Sequence, residues 1–153
     1  MYTSKFFTFT VEGDKLDVME LNDNINLDNV TLGKKSMRIS KECYNKEDTT
    51  LLCSGKTFVQ KTNRWVYSAE AQNHTTVGYF LTKNLEFIAS KLDVLKPFVK
   101  KNKTYIDLTI YIEEKTSIKL MKKQIELLHK IGVDDIAIEF VLESTLDKLF
   151  NND

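Results

Sequence analysis

Histidine and cysteine side chains most often carry acid–base, nucleophilic or metal chemistry, and this sequence holds two of each. His74 lies in a polar loop four residues after Glu70, close enough along the chain for the two to meet across a turn. His129 lies near the end of a predicted helix, where its ring can interact with the last carbonyls. Cys43 and Cys53 have neither a CxxC spacing nor a neighbouring histidine. We therefore predict no catalytic residue, no metal site and no cofactor, and keep His74 as a candidate binding residue.

Two groups of carboxylates are the next candidates for chemistry. Paired carboxylates perform acid–base work when burial drives their pKa values apart. The two groups are Asp14, Asp17, Glu20 and Asp23, and the pair Asp134 and Asp135. Both are predicted to face solvent, and the first lacks the glycine that a calcium-binding loop requires at its sixth position. No phosphate-binding or nucleophile-elbow motif occurs in the chain.

Residues 63–70 place an arginine, a tryptophan and a tyrosine close together on a predicted strand. Side chains alternate along a strand, so Trp65 and Tyr67 share one face while Arg64 lies on the other. These three residue types are enriched at binding hot spots. They are also ordinary in a sheet, where Trp65 would pack beneath a helix, so both interpretations stay open. If the segment binds a partner, alanine at Trp65 or Tyr67 should leave the fold intact.

The first third of the chain contains one clear strand and one ambiguous segment. Alternation over Lys5–Val11 predicts a half-buried strand. The residues that follow form either a short helix capped by Asp14, which we favour, or the return strand Leu16–Leu21 of a hairpin. Farther on, the sequence predicts two strand pieces and a long surface loop, at Val30–Leu32, Met37–Ile39 and Ser40–Lys56.

The rest of the chain alternates strands with helices. The predicted elements are a strand at Thr57–Ala69, a helix from Thr82 through Leu95, a strand at Tyr105–Ile112, a helix at Ser117–Ile131 ended by Gly132, and a strand at Val133–Leu142. The last strand–helix–strand unit predicts a crossover between two parallel strands. Together these elements predict a single α+β domain over residues 1–153. We expect a two-layer sandwich whose mostly antiparallel, mixed sheet has two main helices packed on one face.

Composition narrows the classes of partner. The 153 residues include 22 Lys and Arg against 22 Asp and Glu. A nucleic-acid binder draws affinity from an excess of basic residues, so this balance disfavours nucleic acid and leaves only the lysines of Lys96–Lys103 as an argument for it. No apolar run approaches the ~18 residues of a membrane span, and the N-terminus lacks a secretory pattern. We therefore expect a cytoplasmic protein with reduced thiols.

Three features of residues 56–142 resemble a bacterial family known as domain of unknown function 4279. They are the strand Trp65-Val66-Tyr67-Ser68, the leucine-spaced helix Leu85–Leu95 followed by the strand Tyr105–Ile112, and a helix that ends in glycine before a final strand, Leu127–Ile138. A Pro-Thr pair of the family's first half has no counterpart in this chain. The resemblance implies a bacterial source and an α+β fold, and it transfers no activity.

Two functional hypotheses follow. The first is a non-catalytic module that binds another protein through its sheet face or through the loop Ser40–Lys56, with immunity-like binding of a toxin as one form by analogy. On this hypothesis the candidate binding residues are Arg64, Trp65, Tyr67 and His74. The alternative is a small-ligand-binding protein or enzyme with a pocket between sheet and helices, using His74 and Glu70.

Overall fold

The computed structural model describes residues 2–33, 38–40, 57–59, 62–72, 75–112 and 117–142. The strands in these ranges are β1 Tyr2–Gly13, β2 Val30–Gly33, β3 Arg38–Ser40, β4 Thr57–Val59, β5 Asn63–Gln72, β6 Lys103–Ile112 and β7 Asp135–Leu142. The helices are α1 Val18–Ile25, α2 Val77–Ser90, α3 Leu92–Val99 and α4 Lys122–Ile131. Within the described ranges, no helix has the length and apolar composition that crossing a membrane requires. The predicted loop through residue 56, with both cysteines, lies outside these ranges from residue 41 onward.

Five strands form one open, mixed sheet in the order β2-β5-β1-β6-β7. Strand β1 pairs antiparallel with both β5 and β6, and β2 pairs antiparallel with β5. The β6–β7 pair is parallel, as the predicted crossover requires. Strands β3 and β4 form a separate antiparallel pair. The α+β class and the mostly antiparallel, mixed sheet are therefore confirmed.

The helices cover one face of the sheet because alternate residues of the strands are apolar. In β1 the side chains of Phe7, Phe9 and Val11 are fully buried, and they share their face with buried Ile106 and Leu108 of β6. Leucines, isoleucines and aromatic residues of α1, α2 and α3 complete the same core. Burial of apolar area at about 25 cal/mol per Å² is the main force that holds the two layers together.

Local capping explains where the helices begin and end. Residues 18–25 are helical, which settles the ambiguous segment, and the cap is Asp17, whose carboxylate accepts the Glu20 N–H at 3.0 Å. Helix α2 is capped by Thr76 and therefore starts six residues before the predicted cap Thr82. Helix α4 starts later than predicted, at Lys122. It ends as predicted, because Gly132 adopts φ 81°, which favours glycine.

One predicted strand is wrong in its extent. Thr57–Ala69 is not continuous: β4 ends at Val59 and pairs with β3, whereas β5 begins at Asn63 and joins the large sheet. The break places Arg64 and Trp65 at the start of β5, next to the end of β1.

Candidate functional site

The face of the five-stranded sheet that no described helix covers is the candidate site, and we call it the helix-free face. It consists of the even-numbered residues 4–12 of β1 and 64–70 of β5, and the odd-numbered residues 103–111 of β6 and 135–141 of β7. Threonine, serine, charged and aromatic side chains dominate this face. It therefore combines polar groups with rings that can contact a partner.

A hydrogen-bonded triad lies at one end of the helix-free face, where β5, β1 and β6 meet. The Glu12 carboxylate accepts the Nε–H of Arg64 at 2.7 Å and the hydroxyl of Tyr105 at 3.0 Å on the same oxygen. Arg64 and Glu12 are both largely buried, with 29% and 20% of their side chains exposed. An ion pair shielded in this way is held more rigidly than one in open solvent, so the triad fixes the orientation of all three side chains.

The Tyr105 hydroxyl is protonated at neutral pH, and burial strengthens that preference by raising its pKa. Desolvation is the main cause that raises the pKa of Tyr105 to about 12; Arg64 acts against this shift, and the hydrogen bond to Glu12 adds to it. At neutral pH the hydroxyl therefore donates a hydrogen bond and cannot accept a proton as a general base.

Asp107 lies next to Tyr105 on the same face and is exposed. Partial burial raises its pKa first, the Glu139 carboxylate raises it further, and Arg64 acts in the opposite direction. In the register of β6 and β7, Asp107 is opposite Ala137, one pleat from Glu139. Two carboxylates at this spacing repel each other, so the pair favours a cation between them.

The triad and its neighbours line an open pocket of about 240 Å³. Its walls also include Lys103, Asp107, Asp135 and Ala137. Lys103 Nζ lies 3.5 Å from an Asp135 oxygen and 5.7 Å from the centre of the Tyr105 ring. A volume below ~300 Å³ is small for a metabolite site. The pocket suits a single side chain or a small group better than a whole cofactor.

An aromatic pair occupies the other end of the helix-free face. Phe6 of β1 is 36% exposed, and its ring meets that of Tyr111 of β6 edge-to-face with centroids 5.6 Å apart. Tyr111 is half-buried, so the pair consists of one exposed ring backed by a second ring. Such a pair supplies apolar contact area for a partner at low entropic cost.

The four residues predicted as binding residues do not share one surface. Arg64 lies on the helix-free face, whereas Trp65 is 0% exposed on the helix-covered face, edge-to-face with Phe9 at 6.4 Å. Tyr67 is half-buried on that same face with its ring 5.2 Å from Phe87, and burial raises its pKa. His74 lies outside the described residues.

The expectation that alanine at Trp65 leaves the fold intact is therefore wrong. Removing a fully buried tryptophan from a core costs about 3–5 kcal/mol. The indole N–H of Trp65 has no hydrogen-bond acceptor among the described residues, an exception to the rule that buried polar groups are paired. Trp65 belongs to the core, the second of the two interpretations that its sequence context allowed.

Most of the site residues were missed by sequence reasoning. The alternation of Tyr105–Ile112 placed Tyr105, Asp107 and Tyr111 on the outward side, so a signal for that strand was present. Glu12 carried no such signal. Its importance arises from register, because β1 pairs with both β5 and β6, whose residues Arg64 and Lys103 lie directly opposite Glu12.

The remaining candidates have local structural roles. Asp134 accepts the backbone N–H of buried Thr104 at 2.8 Å, which ties the turn after α4 to β6. His129 is exposed in the last turn of α4. In the described part of the chain, no three His, Cys, Asp or Glu side chains lie close enough together to hold a metal ion.

Comparison with known proteins adds no relative. No protein-family model, no curated protein and no solved structure matches this chain. The resemblance to domain of unknown function 4279 stays a prediction, and the site must be interpreted from its own geometry.

Proposed function

We propose that this protein is a non-catalytic interaction module of the cytoplasm that binds another protein through its helix-free face. The observation that carries this proposal is the aromatic pair of exposed Phe6 and half-buried Tyr111 on a sheet face that no described helix covers. Two-layer folds leave one face of an antiparallel sheet open to solvent. A sheet face that exposes an aromatic ring offers a partner more apolar contact area than a face made of charges alone.

The arrangement of charged groups supports binding rather than catalysis. Glu12 is held by two hydrogen bonds, and one of them is donated by the Tyr105 hydroxyl, which is protonated at neutral pH. Rigid polar groups beside exposed rings are the usual composition of a protein–protein contact of moderate affinity. Immunity-like binding of a toxin is one form of this function and rests on analogy.

The alternative of a pocket between sheet and helices has less support among the described residues. The apolar core fills most of that interface, where the fully buried Lys5 is the charged exception, and the pocket of about 240 Å³ lies on the opposite face. Among the described residues, the open pocket beside Tyr105 is a place where a small ligand would find room.

The test is affinity capture from the native lysate with two matched variants, followed by quantitative mass spectrometry. The first variant, Phe6→Ala with Tyr111→Ala, removes this aromatic pair from the helix-free face. The control, Tyr79→Ala, removes a ring that is 59% exposed on α2, on the other side of the sheet. We expect one stoichiometric partner with the wild type and with the control, and at least about a tenfold loss with the double variant, because buried aromatic anchors dominate interface energies.

Far-UV circular dichroism must first show that the double variant keeps its fold. A partner that the folded double variant retains and the Tyr79→Ala control loses would move the binding surface to the helices and overturn the proposal. A wild-type preparation without any protein partner would also contradict it.

A further inference from the structure

We infer that the partner presents a basic segment, with lysine or arginine side chains that dock onto the acidic half of the helix-free face formed by β6 and β7. This inference rests on the proposed function and names the chemistry of the partner. Its basis is the distribution of charge over the described sheet, together with the position of the Tyr105 and Tyr111 rings.

Charge is segregated in the molecule. The whole chain is neutral, with 22 basic and 22 acidic residues. The described residues of the helix-free face, in contrast, carry three more carboxylates than cations. The carboxylates are those of Glu12, Glu70, Asp107, Asp135 and Glu139, and the cations are Arg64 and Lys103. A partner surface of opposite sign is steered to this face and is held in register by it.

The two cations of this face are already engaged. Arg64 is bound to Glu12 at 2.7 Å, and Lys103 lies 3.5 Å from Asp135. In the described part of the chain, Asp107 and Glu139 form no salt bridge within 4.0 Å, although Arg64 lowers the electrostatic cost of the Asp107 charge. These two carboxylates are exposed and close together on adjacent strands, so they are the points where an incoming cation gains most.

Aromatic rings flank the same carboxylates. Tyr105 precedes Asp107 by one pleat of β6, and Tyr111 follows it by two. Lysine and arginine side chains are recognised by carboxylates that fix the charge and by rings that contact the aliphatic stem or the cation. Lys103 already shows such a contact with Tyr105, at 5.7 Å from the ring centre.

Edge-to-edge pairing with a second copy of this chain is disfavoured by the same charges. Among the described strands, none pairs with the outer edge of β7, so this edge could in principle join a second β7. That pairing would bring Asp135 and Glu139 of both copies onto one side of the joined sheet, where like charges destabilise it. Phosphate-rich nucleic acid is repelled by the same carboxylates. A basic protein segment is the occupant that the charges select.

The experiment measures binding of a fluorescein-labelled peptide of alternating lysine and serine by fluorescence anisotropy, with a glutamate–serine peptide as its counterpart. The face variant is Asp107→Asn with Glu139→Gln. The matched control is Glu20→Gln with Asp23→Asn, which removes two exposed carboxylates from α1. We expect the wild type to bind the lysine peptide and not the glutamate peptide. The affinity for the lysine peptide should be about tenfold weaker in the face variant and should change by less than about twofold in the control variant.

Equal weakening by the two variants, or no binding of the lysine peptide, would overturn the inference. The lysate capture separates this outcome from failure of the proposed function. A partner that the wild type and Asp107→Asn with Glu139→Gln capture equally, but that Phe6→Ala with Tyr111→Ala loses, would keep the binding face and reject its basic partner.

Discussion

Asp107 illustrates a conflict between stability and binding at a single residue. Its carboxylate is exposed on the helix-free face and faces Glu139. Nothing in the register of β6 and β7 requires an acid at this position, because its direct neighbour on β7 is Ala137. Its charge raises the electrostatic energy of the folded state beside Glu139, and a bound cation would offset that cost.

We expect Asp107→Asn to stabilise the protein at neutral pH. Burial and Glu139 raise the pKa of Asp107 above 3.8, so the folded state holds this proton to higher pH than the unfolded chain does. The free energy of unfolding therefore falls as pH rises from 3.8 through the raised pKa, and the full cost remains above it. Solvent screens an exposed charge, so the gain at pH 7 is on the order of a few tenths of a kcal/mol.

Urea unfolding of Asp107→Asn and wild type at several pH values checks this prediction. The difference between the two proteins should be present at pH 7 and should shrink as pH falls to 3.8, where the wild-type carboxyl also becomes neutral. Glu126→Gln, on the exposed side of α4, is the control and should show no comparable gain. A destabilised Asp107→Asn would mean that this carboxylate supports the fold, which would weaken its assignment to binding.

At the scale of elements, Gln124 joins α4 to α2. Its side chain is 2% exposed, and its amide donates to the Gly78 carbonyl and the Thr82 hydroxyl, both at 3.2 Å. Its oxygen accepts the Met121 N–H at 2.8 Å, which caps the start of α4. One side chain thus fixes both where the helix begins and how it packs on its neighbour.

We expect Gln124→Ala to lower the free energy of unfolding by about 1–3 kcal/mol, because it leaves polar groups at the α2–α4 contact without partners. Chemical denaturation measures the loss. Glu126→Ala is the matched control on the same helix, since it removes only an exposed pair with Lys122 at 3.8 Å. Equal midpoints for the two variants would show that the amide hydrogen bonds contribute nothing net.

The elements that the sequence predicts well are those whose signal is local. The alternation of Tyr105–Ile112 and the Gly132 stop of α4 need no knowledge of the rest of the fold, and the structure confirms both. The start of α2 was missed because Thr76 and Thr82 are both competent caps, and only packing of Val77, Phe80 and Leu81 into the core selects the first. Local pattern cannot make that choice.

The candidate site was less predictable than the fold because it depends on pairing between distant segments. Arg64 lies 52 residues and Tyr105 93 residues after Glu12 in the chain. Their proximity follows from β1 lying between β5 and β6, an order that no local pattern encodes. The residue type of Trp65 suggested a binding role, but its place in the core depends on which face of the sheet the helices cover.

At the scale of the whole molecule, one apolar core connects all four described helices to the large sheet. Trp65 is the single tryptophan, and it is opposite Val11 at one end of β1, whereas Ile110 is opposite Lys5 toward the other end. The six residue-to-residue steps along β1 from Lys5 to Val11 span roughly 20 Å. Trp65 fluorescence therefore detects unfolding that starts near Ile110 only if the whole core unfolds as one unit.

We expect such cooperative unfolding. Ile110 is 0% exposed, so Ile110→Ala should cost about 2–5 kcal/mol. If the core is one unit, this variant lowers the denaturant midpoint by the same amount whether Trp65 fluorescence or far-UV circular dichroism is followed, because both probes then report a single transition. Lys130→Ala, on the exposed surface of α4, should leave both midpoints unchanged.

A dichroism transition that precedes the fluorescence transition in Ile110→Ala would instead mean that the β6–β7 half of the sheet, including the acidic half of the helix-free face, opens while the Trp65 end stays folded. Binding of a basic partner would then have to order that half of the sheet, and the partner's affinity would fall in proportion to the fraction of molecules in which it is open.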